Sequence, residues 1–366
     1  MKELLDKTNK KTLILIGGFF ILIFVIILGG ALLYNKLFYK FSYEEVENIM
    51  KEAAIVYLNE NQEKLPQNIN DSITIPESAL VSAQKMKSIS NLIKNNNTSC
   101  IGEVIVTNIN NSYRYNPILN CGDQHESIKL TDYIKDNTNT TTTGNGLYEI
   151  NDELVYRGDN VDNYLKLSNK LYRIVKFKNK YTVLILTEKL ENITWDDRYN
   201  IEKDSDLGIN DYKVSRIKDY LTDLYEKNTL IDQNDKLLVT NYNLQIGKRA
   251  TNDTSKNGST ENSITLDNQY IGLLPAYDFL NASLDENCTT TTAESCTNYN
   301  YLAKYNLNWW LATANNKNTH QVYKVGKSIN LSAANSTAYI RPVIYLTTDT
   351  MYVSGNGTKE NPYIVR

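Results

Sequence analysis

The sequence predicts an α+β protein in three parts: an N-terminal transmembrane helix, a small helix-plus-sheet domain, and a C-terminal mixed α+β domain. Three observations predict it. Residues 12–34 carry no charged side chain. Behind them, an amphipathic helical pattern gives way to alternating strand-like runs and then to a Thr/Asn/Gly stretch at 137–146. Beyond 147, short β-like runs surround one clear helical pattern at 215–225.

The uncharged run is 23 residues long. As a helix it reaches roughly 35 Å at 1.5 Å per residue, enough for a hydrocarbon core of ~30 Å. Lys2, Lys7, Lys10 and Lys11 precede it, and only Lys36 and Lys40 follow before Glu44 and Glu45. Excess positive charge stays on the cytoplasmic side. The expectation is therefore a cytoplasmic tail at 1–11, a membrane helix at 12–34 and everything later extracellular, in a single-pass cell-membrane protein. A cleaved signal peptide is the rival; its apolar region is shorter, although Gly29-Gly30-Ala31 would serve as a cleavage site.

The small domain is expected over 36–136. Ser42 and Glu45 form a capping box, and Val46, Ile49, Met50, Ala53, Tyr57 and Leu58 then recur at helical spacing. A second helix is expected over 76–93. Residues 103–108 and 113–119 alternate like antiparallel strands joined at Asn110-Asn111. This layout resembles a type IV pilin in outline, but no prepilin cleavage site or in-span Glu is present, so filament assembly is not implied. The stretch 137–146 reads as a linker, and the second domain as 147–366.

The net charge of -3 gives no basic field to attract nucleic acid. The 27 tyrosines and only 6 prolines suit wet, β-rich domains. All four cysteines lie beyond the apolar run, in two local pairs, Cys100 with Cys121 and Cys288 with Cys296. That arrangement suits one disulfide per domain in an exported protein. A zinc site is disfavoured by the spacing, and no metal or cofactor is expected.

Several motifs in the larger domain resemble exported and surface proteins of Firmicutes that carry a DUF6273-like domain of unknown function. They are Leu171-Tyr172-Arg173-Ile174-Val175, the helix at 215–225 and Gly272-Leu273-Leu274-Pro275-Ala276-Tyr277. Trp309-Trp310-Leu311, the run from Arg341-Pro342-Val343 to Leu346, and the tail from Gly355-Asn356-Gly357 to Pro362-Tyr363 complete the series. The resemblance covers about residues 147–366. The Trp-Trp-Leu and Arg-Pro-Val order is similar to the C-type-lectin-like fold of formylglycine-generating enzymes, which implies helices packed on twisted antiparallel strands.

Neighbouring strand residues face opposite ways, so one of Trp309 and Trp310 is the candidate for a groove where a sugar or peptide stacks. Arg341 is the third candidate ligand contact, with a structural ion pair as its competing role. The turns around Asp159 and around Trp195-Asp196-Asp197 lack calcium-loop spacing. No catalytic elbow or phosphate loop is legible, and the 42 acidic residues single out no glycosidase pair. The expectation is a non-catalytic, adhesin-like surface module with a glycan or protein ligand. A structural, self-associating envelope protein is the alternative, and a wall hydrolase the least supported.

Overall fold

The computed structural model describes residues 40–69, 71–93, 99–109, 112–178, 180–303 and 308–366. The chain forms two compact units. Among the described residues, one comprises those from 40 to 109 with Tyr115–Glu126, the other those from 112 to 114 with Ser127–Arg366. The division lies ahead of the Thr-rich stretch where the composition placed it. The reason is the helix at Leu130–Asn137, whose Leu130 and Ile134 are buried in the core of the larger unit.

In the first unit, Ser42 caps α1 (Tyr43–Glu60) by a reciprocal capping box with Glu45. Val46, Met50, Ala53, Ala54 and Leu58 form its buried face. Strand β1 (Ser72–Pro76) leads into the short helix α2 (Glu77–Ser82), followed by β2 (Ile101–Ile109) and β3 (Ser112–Asn120), in a sheet of order β1-β2-β3. The helix expected over 76–93 is broken because Gln84 turns left-handed at φ 57°, and Lys85 N–H closes the turn onto Leu80 O at 2.9 Å. The turn expected at Asn110-Asn111 lies outside the described residues. Cys100 and Cys121 are bonded.

The second unit opens with α3 (Leu130–Asn137), β4 (Gly146–Ile150), β5 (Glu153–Arg157), β6 (Tyr164–Leu167), β7 (Lys170–Lys178), β8 (Tyr181–Leu186) and β9 (Asn192–Thr194). Helix α4 (Arg216–Glu226), β10 (Tyr242–Gln245), β11 (Thr265–Gln269), β12 (Ile271–Gly272) and α5 (Ala276–Ala282) follow. The remainder is β13 (Trp309–Ala314), β14 (Gln321–Val325), β15 (Ile329–Ala333), β16 (Thr337–Tyr339), β17 (Val343–Thr347), β18 (Tyr352–Ser354) and β19 (Tyr363–Val365). The main sheet runs β12-β17-β8-β7-β6-β19-β18, and the β4-β5 hairpin joins it along the later half of β7. A second sheet has the order β15-β14-β13-β16-β9. Ser215 caps α4, its hydroxyl accepting from Lys218 N–H. All seven residues of α5 are buried.

The expected α+β class is corrected. The fold is mostly sheet, 35% strand against 25% helix. Among the described residues no helix is long and apolar enough to cross a membrane. The segment 12–34, where the spanning helix was expected, lies outside the described residues. The run at 76–93 accounts for part of the shift: in place of one long helix it forms two short ones, Glu77–Ser82 and Ile89–Leu92, with the left-handed Gln84 between them.

Candidate functional site

The three ligand contacts expected from sequence lie in the core. Trp309 and Trp310 are both fully buried because β13 sits mid-sheet between β14 and β16, with both faces covered. Trp310 Nε1 donates to Ile193 O at 2.9 Å. Trp309 meets Phe279 edge-on, with ring centres 6.0 Å apart. Arg341 lies over the Trp309 ring, its guanidinium carbon 4.9 Å from the ring centre. It donates through Nε to Leu186 O and through Nη1 to Leu302 O, each at 3.1 Å. No groove opens at these residues. Through these carbonyls Arg341 ties the end of β8 to the turn at Leu302.

A cleft does open elsewhere in the same unit. Its volume is about 220 Å³, and Asp159, Thr297, Tyr299, Asn300, Ala303, Gly326 and Lys327 line it. The Cys288–Cys296 disulfide closes the loop on one side. Asn300 holds the wall: its buried amide donates to Phe279 O and Cys296 O, both at 2.9 Å, and its carbonyl accepts from Leu302 N–H at 3.0 Å. Thr297 Oγ1 reaches Lys327 O at 3.2 Å, joining the wall to the β14–β15 turn. Gly158 completes the frame at φ 110°, where a Cβ would stand 2.0 Å from Asn145 Oδ1, so only glycine fits.

Tyr299 is the unusual member. Its backbone is left-handed at φ 45°, a conformation that penalises a side chain with a Cβ, and its residue is 61% exposed. The neighbours over-determine this geometry. Tyr299 O accepts from Leu284 N–H at 3.3 Å, Tyr301 N–H donates to Gly158 O at 2.7 Å, and Ser283 Oγ donates to Asn298 O at 2.8 Å. Asn298 in turn donates to Asp285 at 2.7 Å. That bond and the Asn287 backbone N–H hold the Asp285 carboxyl below its ordinary range. Strain kept by surrounding structure is a pointer to a functional position.

Asp159 and Lys327 bring opposite charges to the cleft, and neither side chain forms an ion pair with another described residue. The arrangement offers an aromatic face, a carboxylate, an ammonium and a threonine hydroxyl. This set suits hydrogen bonding to a hydroxyl-rich ligand stacked on a ring. Sequence reasoning took Asp159 for a turn residue and passed over Tyr299, one tyrosine among 27.

In the first unit a shallower groove of about 490 Å³ runs beside α1, lined by Asn48, Ile49, Glu52, Ala53, Val56, Gln84 and Lys85. Among the described residues, no group of His, Cys, Asp and Glu is placed to hold a metal ion. No family model, curated protein or solved structure matches the chain.

Proposed function

We propose that the larger unit is a non-catalytic binding module that acts outside the cytoplasm and takes a glycan at the Tyr299 cleft. The carrying observation is Tyr299 itself, an exposed ring kept in a strained backbone conformation in a cleft that also holds the Asp159 carboxylate and the Lys327 ammonium. Sugar rings present an apolar face to such a ring and hydroxyls to Asp159, Thr297 and Lys327. Two disulfides support the location, since they persist in oxidising compartments. The ordered motifs at 171–175, 272–277 and 341–346 support membership of the DUF6273-like group of surface proteins. The test is a glycan array with the full chain, followed by titration of the best hit. Tyr299→Ala should fold normally and lose at least tenfold in affinity; equal binding by both proteins rejects the cleft.

A second reading, self-association through the first unit, is favoured by one observation: Val56 is 45% exposed on the groove-lining side of α1. Light scattering decides it. A strict monomer at high concentration removes this reading.

A further inference from the structure

The most unusual chemistry in the larger unit lies away from the cleft. Lys176, on β7, is 2% exposed, and its ammonium meets three oxygens: Asp278 Oδ1 at 2.6 Å, Tyr277 Oη at 2.6 Å and Glu153 Oε2 at 3.2 Å. Asp278, in the first turn of α5, is buried as well. Glu153 starts β5, which pairs with β7 at Leu154↔Phe177 and Val155↔Lys176, so strand register sets it beside the lysine. Lys178, two residues on and on the same face, binds the other Glu153 oxygen at 2.6 Å. Tyr277, Tyr181, Tyr242 and Tyr345 gather around the pair, and Tyr277 donates its own proton to Gln245 at 2.5 Å.

We propose that Lys176 and Asp278 condense into an intramolecular isopeptide bond, with Glu153 shuttling the proton. A buried ammonium–carboxylate pair is costly in a low dielectric, and moving one proton from Nζ to the carboxylate yields a neutral amine and a neutral acid. Burial raises the Asp278 pKa, which favours the acid form, whereas on Lys176 the carboxylates of Asp278 and Glu153 outweigh burial and hold the ammonium pKa up, so the proton transfer across the 2.6 Å contact is an uphill step that precedes attack. The amine lone pair attacks Asp278 Cγ. Glu153 takes one proton from Nζ and delivers it to the departing hydroxyl. One C–N bond forms, one C–O bond breaks, water leaves, and Glu153 returns to its starting state. Glu153 is 25% exposed, so released water has a way out. Holding the two groups in contact makes the condensation a unimolecular step, a rate advantage that reaches an effective molarity of about 10⁵ M or more in well-oriented pairs, and the step consumes no co-reactant. The bond would tie β7 to α5 covalently, a reinforcement that suits a protein displayed outside the cell.

The test is the intact mass of the full chain, denatured with both disulfides reduced. The expected mass is one water below that of the sequence, and tandem fragmentation should yield a branched peptide joining Lys176 to Asp278. Glu153→Gln should slow the linkage at least a hundredfold, and Lys176→Arg should abolish it. The full sequence mass, both at purification and after long incubation, overturns the proposal. So does a lost water that fragmentation places at another residue. Wild-type mass alone decides the bond even where a variant fails to fold, and unchanged linkage in Glu153→Gln removes that residue's role.

Discussion

Arg249 Nη1 lies 3.1 Å from each carboxylate oxygen of Glu261, with neither side chain exposed. The guanidinium also donates through Nε to Thr291 Oγ1 at 2.7 Å, and Glu261 Oε1 accepts from Tyr277 N–H at 3.2 Å. This pair therefore links the segment before β11 to the disulfide loop and to the start of α5.

Removing Glu261 strips the buried Arg249 of its fully buried counter-charge and leaves Asp253, 3.3 Å from Nη2, as its carboxylate partner. Glu261→Gln should lower unfolding free energy by about 3–5 kcal/mol. Urea denaturation followed by tyrosine and tryptophan fluorescence measures it, and a loss below about 1 kcal/mol would contradict the pairing.

Asp196 supplies a pH dependence. Burial pushes its pKa up, but donors from Arg198 side chain and backbone and from Ile209 N–H prevail and hold it below the ordinary carboxylate value. Arg198 Nη2 is 2.6 Å away and Ile209 N–H 3.1 Å. A depressed folded-state pKa contributes stability above the unfolded value of about 3.9, and that contribution is lost as pH falls through the folded value. Asp196→Asn should thus cost about 1–3 kcal/mol at pH 7. The difference from wild type should shrink steadily below about pH 4; a constant difference would exclude the linkage.

Burial of Trp309 separates a core role from a binding role. Trp309→Ala should destabilise by about 3–5 kcal/mol through the cavity it leaves and the stacking it removes from Arg341. Thermal unfolding reads this as a lower midpoint. Ligand affinity, measured well below that midpoint, should stay within twofold of wild type.

What was legible in the chain depended on whether the signal was local. Ser42 announced its helix because a cap is written in neighbouring residues. Helix α5 escaped notice because all seven of its residues are buried, which erases the 3.6-residue period. Trp309 and Trp310 seemed to need opposite environments, but a strand inside a covered sheet buries both faces. The Thr-rich stretch marked a composition change without marking the boundary, since Leu130 and Ile134 already belong to the second core. Tyr299 was invisible for a different reason. Nothing in Asn298-Tyr299-Asn300 signals a left-handed tyrosine; the Gly158 contact and the buried Asn300 amide impose it from elsewhere in the fold.

That distinction yields the sharpest prediction. A residue held left-handed for packing alone should be replaceable by glycine at no loss of any kind. A residue held so to present its ring should trade stability against function. At φ 45°, relieving the Cβ clash returns about 1–2 kcal/mol, while the freer unfolded chain of glycine takes back about 0.5–1 kcal/mol. Because the tyrosine is largely exposed, little packing is lost. Tyr299→Gly should therefore match wild type or exceed it in stability to urea, by up to about 1.5 kcal/mol, while losing the glycan affinity that the stacked ring supplies. Tyr299→Phe keeps the ring and should retain most binding at wild-type stability. A glycine variant that is more stable and binds equally well would show that the strained tyrosine serves no ligand.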